Sequence, residues 1–266
     1  MDSMKTLAVL ETRKLSRYLG TQHRVVSGLE ESAAAFLVSY CNSYQPPAPR
    51  QQIWLVLGSE RGFCGDFNDR LLRLLSSTAS DVSQLIVIGR KLASRLESDP
   101  RVIAAMNGPT IAEEVVEVLS AVVTRLQELE GRYGPYALTV VSHDETSGTI
   151  EKRLVLPPFE QLRGLPAAGG YRPQLFMTPD NFLEQLAQHY LFAVLHERFY
   201  ASLMTENRQR MEHLDGATRH LSKTIARLQL KNNYLRQEEI TEELEEVLLG
   251  VEALGPIPGS GSRDQP

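Results

Sequence analysis

The sequence predicts an α/β protein: a Rossmann-like parallel-sheet domain plus a long antiparallel coiled coil formed by its N- and C-terminal helices. Three observations carry this reading. Gln52–Leu57, Leu85–Ile88 and Tyr136–Val141 are continuous apolar runs rich in β-branched residues, the pattern of strands buried on both faces. Helical patterns separate those runs, as in an α/β fold. Long proline-free stretches stand on either side of them. The 266 residues, 42% hydrophobic and 23% charged, fit a globular chain able to bury a sizeable core.

The N-terminal stretch, residues 3–43, has no proline and only Gly20 and Gly28 as glycines. Apolar residues at Leu15, Tyr18, Val25, Leu29, Phe36 and Tyr40 recur at helical spacing and predict one buried stripe. The Gln45–Pro49 segment, QPPAP, ends the helix because proline lacks the donor and restricts its predecessor. The α/β domain is expected over 50–178, with helices at 68–77, 91–98 and 110–129 and a more alternating strand at 149–156. Leu162–Pro173 holds three glycines and two prolines and predicts a loop.

Pro179 opens the last helix from its first turn, where its missing donor is harmless. Residues 179–254 contain no further proline. Helical throughout, they would make a rod of roughly 110 Å, against a globule of about 45 Å. Met211, Leu214, Thr218, Leu221, Ile225, Leu228, Asn232 and Leu235 step by three and four, as coiled coils require. The phase slips by one residue to Ile240, Leu244, Val247, Val251 and Leu254. The N-terminal helix, roughly 60 Å long, covers only half of such a rod, so something else must cover the rest. Residues 255–266, rich in glycine and proline, read as a flexible tail.

The candidate chemistry is thin. Gly58-Ser-Glu-Arg-Gly-Phe-Cys-Gly65 follows a buried strand and precedes a helix, where phosphate loops sit. It lacks the residues that complete a P-loop or a dinucleotide fingerprint. Cys64 reads better as a small buried hydrophobe than as a nucleophile. His189 and His196 are two turns apart, too far for a helical metal pair. Asp144-Glu145 reads as a polar turn. No catalytic residue, metal site or cofactor is therefore expected. Two cysteines, Cys41 and Cys64, are too few for a disulfide scaffold and outside zinc spacing. A net charge of −5 argues against nucleic-acid binding. No apolar run reaches the 18 to 20 residues of a membrane span. The N-terminus lacks the apolar core of a secretory signal, so an intracellular chain that meets membranes only through partners is expected.

Charge on the last helix is more informative. Between Arg198 and Arg236 stand eight basic and three acidic residues, and 238–246 holds six acidic and no basic ones. Arg219, Lys223, Arg227 and Lys231 recur every four residues and draw a slowly rotating positive stripe. Such segregation is what an electrostatic partner contact requires.

At these residues the chain resembles the gamma subunit of F-type ATP synthases. The C-terminal pattern Asn233-x-x-Arg236-Gln237-x-x-Ile240-Thr241-x-Glu243-Leu244-x-Glu246-x-x-x-Gly250-x-x-Ala253-Leu254 is similar to that family's signature. Ser202-Leu203, Glu206, Arg210-Met211 and Ala217-Thr218 resemble its shaft segment. Gly62-Phe63-Cys64-Gly65-Asp66-Phe67-Asn68 resembles its GLCGGLN loop. The resemblance spans about residues 50 to 254. Leu15–Ser27 departs from the family's basic N-terminal block, Asp66 from a usual glycine, Val251 from alanine and His220 from asparagine. That divergence is similar to the gamma subunits of N-ATPase operons.

The resemblance implies a rotor without an active site of its own. Its foot would sit on a c-ring beside the epsilon subunit, and its shaft would turn within a ring of alpha and beta subunits. Arg219, Lys223, Arg227 and Lys231 would then meet acidic beta-subunit loops. Arg236, Gln237, Ile240, Thr241, Glu243 and Glu246 would contact the upper ring, and Gly62, Cys64, Gly65 and Asn68 would build the foot loop. The place implied is the cytoplasmic face of the inner membrane, held there peripherally. A small-molecule-binding module using the Gly58–Gly65 loop and a static coiled-coil scaffold remain the alternatives.

Overall fold

The computed structural model describes residues 2–40, 48–49, 51–78, 84–162, 174–253 and 255. They fall into two units, Met1–Asp215 and Gly216–Pro266. Among the described residues the main elements are α1 (Asp2–Tyr40), β1 (Gln52–Leu57), α2 (Phe67–Ser77), β2 (Gln84–Ile88), α3 (Arg90–Ala93), β3 (Val102–Met106), α4 (Val115–Tyr133), β4 (Ala137–His143), β5 (Ile150–Leu156) and α5 (Pro179–Ala253).

In the first unit the strands form one sheet in the order β3-β2-β1-β4-β5. The first four are parallel and β5 closes the edge antiparallel to β4. β1 is central, with Leu55 opposite Ile86 on one side and Val140 on the other. Five of its six residues are buried, which is why its sequence does not alternate. β5 has a single fully buried residue, Val155, in keeping with its more alternating sequence.

Two apolar layers sandwich the sheet. On one face Trp54, Val56, Leu85, Val87 and Val141 pack against Phe67, Leu71 and Leu75 of α2 and Leu92 of α3. Those α2 residues are four apart and so share one side of the helix. On the other face Ile53, Leu55, Leu57, Ile86 and Val140 meet Leu119, Val122 and Leu126 of α4. Leu15, Leu19 and Val26 of α1 and Val194, Leu195 and Phe199 of α5 join that same cluster. Each such buried side chain contributes on the order of 1.5–3 kcal/mol.

α1 and the first part of α5 pair antiparallel. Tyr18 packs in a tilted arrangement against Tyr200 with ring centroids 5.7 Å apart, and Phe36 against Phe182 at 4.8 Å. Between them Gln22 donates to the Ala193 carbonyl at 3.2 Å. As numbers rise along α1 they fall along α5, as the sequence predicts for these two helices.

Local details account for the connections. α4 ends at Gly134, whose positive φ of 74° favours glycine and whose amide bonds the Glu130 carbonyl. Gly89, at the end of β2, has φ 102°, and a Cβ there would lie 2.5 Å from the Gly58 carbonyl oxygen. Only glycine lets the β1 and β2 ends approach this closely.

Four sequence readings need correction. β3 lies within what the sequence suggests is helix following helix. Its run Val-Ile-Ala-Ala-Met is short, half-exposed at the sheet edge, and alanine-rich, so it carries little β signal. The helix expected at 91–98 has only one turn, Arg90–Ala93, before Asp99 and Pro100 redirect the chain; Asp99 there binds the Arg101 guanidinium at 2.7 Å. The helix expected from Thr110 begins at Val115, after a 3-10 turn at Ala112–Glu114. The buried stripe of α1 runs through Ala8, Leu15, Leu19, Val26, Ala33, Phe36 and Leu37, whereas Tyr18 and Val25 are exposed. The apolar side chains of a helix outnumber its buried face, and adjacent positions differ by only about 100°. The QPPAP break, apart from Ala48 and Pro49, and the loop from 163 to 173 lie outside the described residues.

In the second unit α5 is helical from Gly216 through Ala253. Every residue from Thr218 to Gly250 is exposed.

Candidate functional site

Two surfaces hold the residues that the sequence singles out. The first is the loop between β1 and α2. The Ser59 amide donates to the Asn68 Oδ1 at 3.1 Å, and Asn68 Nδ2 donates to Ser59 Oγ at 2.8 Å. Cys64 Sγ lies 3.4 Å from the same hydroxyl. Glu60 Oε2 accepts the amides of Arg90 and Gly108 at 2.8 and 2.9 Å, tying together the loops that follow β1, β2 and β3. Gly62, Cys64, Gly65 and Asn68 are thus brought into one braced turn. Gly65 takes φ 59°, and Phe63 takes φ 63° although it is not glycine.

In doubly wound sheets ligands bind where neighbouring strands lead their connections in opposite directions, here between the carboxyl ends of β1 and β4. That crevice is occupied by α5. Ser202 Oγ reaches the Leu57 carbonyl at 3.5 Å and Thr205 Oγ1 the Asp144 carbonyl at 3.4 Å. Arg208 donates to the Glu145 carbonyl at 2.7 Å. Glu206 Oε1 accepts the Arg61 amide at 3.4 Å, and Arg210 Nε donates to the Gly62 carbonyl at 3.2 Å. A phosphate would need loop amides free to donate. Here a carboxylate from the chain's own helix takes the Arg61 amide.

The electrostatics follow from burial. Burial raises the Cys64 thiol above its ordinary value, so it is a poor nucleophile, and its 6% exposure matches the buried-hydrophobe reading. Burial likewise raises Glu206, opposed by the Arg210 guanidinium. His143, fully buried and stacked 3.9 Å from the Phe67 ring, is pushed down to about 4 by burial and then by Arg70. Asp144 holds its own turn, accepting the Thr146 and Ser147 amides, as a polar turn should. Around β5 a second network forms, in which Arg153 bridges Glu30 and Glu197 at 2.8 Å each and Arg198 pairs with Glu151.

The second surface is α5 from Thr218 onward. Lys223, Arg227, Lys231, Arg236, Gln237, Ile240, Glu243 and Glu246 are all exposed, as are Arg219 and Thr241. Thr241 Oγ1 bonds the Gln237 carbonyl one turn back. The large apolar side chains Leu221, Ile225, Leu228, Leu230, Tyr234 and Leu235 are exposed as well, Leu228 by 59%. The predicted heptad positions therefore pack within the chain at Leu214, 2% exposed, and stand open from Thr218. Among the described residues no helix is long and apolar enough to cross a membrane.

Sequence reasoning placed the loop and the exposed stripe but gave no role to Glu60, His143 or the Glu197–Arg153–Glu30 network. Glu206 and Arg210 were visible only as parts of a motif. Their contact with Arg61 and Gly62 spans some 145 positions of sequence, which no local pattern encodes.

The family model described as ATP synthase matches residues 1–254. Among curated relatives, the ATP synthase gamma chain of Lachnoclostridium phytofermentans is 27% identical over 230 residues, covering 75% of this chain and 73% of that one. That of Clostridium perfringens strain SM101 is 22% identical over 267 residues, covering 94% and 91%. Among solved structures, a chain of the Euglena gracilis mitochondrial ATP synthase aligns with TM-score 0.56 at 14% identity, covering 100% of this chain and 99% of that one. A chain from the central stalk and c-ring of the Tetrahymena thermophila enzyme aligns with TM-score 0.56 at 14% identity, covering 82% and 98%. The fold is that of these stalk chains, and the chain belongs to the gamma-subunit family of ATP synthases, the central-stalk subunits of the F-type enzymes.

Proposed function

We propose that this rotor subunit works by presenting the surface from Thr218 onward to a surrounding ring of alpha and beta subunits. The observation that carries the proposal is the exposure of every residue from Thr218 to Gly250, including a run of leucines and isoleucines that soluble surfaces rarely leave open. Apolar side chains at coiled-coil spacing with no cover of their own call for a partner. An asymmetric helix offers each of three catalytic sites a different face, and differential contact energy biases each site between open and closed states. Arg219, Lys223, Arg227 and Lys231 would meet acidic loops, and Arg236, Gln237, Ile240, Thr241, Glu243 and Glu246 the upper ring. The sheet domain, with the loop bearing Gly62, Cys64, Gly65 and Asn68, would form the foot on a c-ring beside an epsilon subunit. The subunit would thus meet the membrane only through partners, at its cytoplasmic face. Residues 3–43, 50–178 and 179–254 divide the work as N-terminal helix, foot and shaft.

The test is reconstitution of this chain with its genomic neighbours that encode alpha, beta and epsilon subunits. Stoichiometric assembly into a complex whose ATP hydrolysis requires this chain is the expected result. Self-association of the purified chain in sedimentation, with no complex formed, would favour a static scaffold instead.

A further inference from the structure

Glu206 and Arg210 sit one turn apart on α5 and are nearly fully buried, at 4% and 5% exposed. They pair with each other, and each also binds the loop: Glu206 takes the Arg61 amide and Arg210 the Gly62 carbonyl. Arg210 additionally donates to Asn207 Oδ1 at 2.6 Å. The very next residue is Phe63, held at φ 63°, 58% exposed and stacked on His213 of α5 with ring centroids 6.4 Å apart. A bulky residue persists in the left-handed region only where its surroundings over-determine it, and such strain gathers at working sites. Stability alone does not call for a buried ion pair here, since apolar residues of similar volume serve as well or better. What apolar residues cannot supply is directional bonds to two successive backbone groups.

We infer that the Glu206–Arg210 pair is a positioning device that locks Arg61–Phe63 to α5. Loop and helix then move as one body, and the exposed Phe63 ring keeps a fixed orientation. The inference rests on the rotor reading, because in a torque-bearing subunit a force on this loop reaches the helix through these bonds. Neither residue touches a reacting group. Their role is mechanical.

The test uses the double variant Glu206→Met/Arg210→Met in the full chain, with two readouts. The first is amide hydrogen exchange over residues 59–65 in the purified protein. The expected result is a rise of about tenfold or more at the Arg61 amide, which loses its charged acceptor, with thermal stability kept. The second is ion transport per ATP hydrolysed by the assembled complex in vesicles, expected to fall while hydrolysis continues. Exchange at the wild-type level would overturn the lock. Raised exchange with unchanged transport would overturn its mechanical role. Should the double variant not fold, Glu206→Gln keeps the shape but weakens the carboxylate's hold on the Arg61 amide, and it must still raise exchange at Arg61 for the lock to stand. A wild-type chain that supports no coupled transport would sink the rotor reading itself, and exchange alone would then judge the lock.

Discussion

Helix α5 offers a comparison within one element. From Tyr190 to Leu214 it buries Tyr190, Val194, Leu195, Phe199, Leu203 and Leu214, whereas from Leu221 to Leu249 residues of the same kinds are exposed. Both stretches show apolar residues at three- and four-residue spacing. Periodicity therefore reports a helix that buries a face, not whether its own chain supplies the cover. The difference lies in what the rest of the chain provides. The sheet and α1 pack on the first stretch, while within its own unit the second has no cover.

The comparison breaks if truncations in the two stretches cost the same. Leu195→Ala removes a fully buried side chain and should destabilise the purified protein by about 2–5 kcal/mol. Leu228→Ala, at an exposed position, should change it by no more than about 0.5 kcal/mol. Denaturant unfolding of both variants checks this, and a Leu228→Ala loss as large as that of Leu195→Ala would mean that the second stretch has a cover after all.

A second prediction separates the stretches by pH. His143 belongs to the packed unit and is pushed down to about 4, against about 6.5 when unfolded. The unfolded state then binds the proton more readily. The stability that this group contributes is complete above pH 6.5 and is lost as pH falls toward 4. The loss across that window is about 3 kcal/mol. His143→Phe, which keeps a ring against Phe67, should flatten the profile between pH 6.5 and 4. An unchanged slope would show that other groups set it.

The fold was legible wherever a run of residues carried its own signal. β1 and β2 announced themselves as continuous apolar segments, and α5 as a proline-free repeat. β3 did not, because Ala104 and Ala105 at a sheet edge look like neither strand nor core. The phase of α1 was blurred because Tyr18 and Val25 are apolar yet exposed beside the truly buried Leu19 and Val26. At the candidate site, Cys64 and Asn68 were legible as parts of a loop motif, and their packing agrees with the bland reading of Cys64. The brace from Glu206 and Arg210 was not, since it depends on the folded chain bringing distant positions together. Sequence spacing finds elements readily and finds their tertiary bonds only through resemblance.

A smaller effect sharpens the comparison from the other end. Val247, Leu248 and Leu249 are all exposed. Deleting Val247 to Pro266 should therefore leave the stability of the packed unit within about 0.5 kcal/mol of wild type. Assembly with partner subunits should weaken, because the deleted apolar side chains are those expected to need a sleeve. Calorimetry of the purified chain and size-exclusion of the reconstituted complex report the two effects separately. Unfolding of the sheet domain on deletion would contradict the burial pattern.

The smallest expected effect concerns Arg219, Lys223, Arg227 and Lys231. Each step of four residues overshoots a helical turn, so the stripe rotates by about 40° per four-residue step. The four cations therefore cannot all face one acidic loop at once, but a turning shaft would bring them past it in succession. Exposed ion pairs are individually weak and screened by salt, so replacing any one of them with glutamine should alter turnover by less than about twofold. Replacing all four should change the salt dependence of ATP hydrolysis more than its rate at one ionic strength, because the lost interaction is strongest in dilute salt. The measurement compares reconstituted complexes bearing the quadruple glutamine variant or the wild-type chain, at low and high salt. Convergence of the two at high salt and divergence at low salt is the expected outcome. Identical turnover and assembly at both would remove the stripe from the partner contact, and the apolar side chains between the cations would then carry that contact alone.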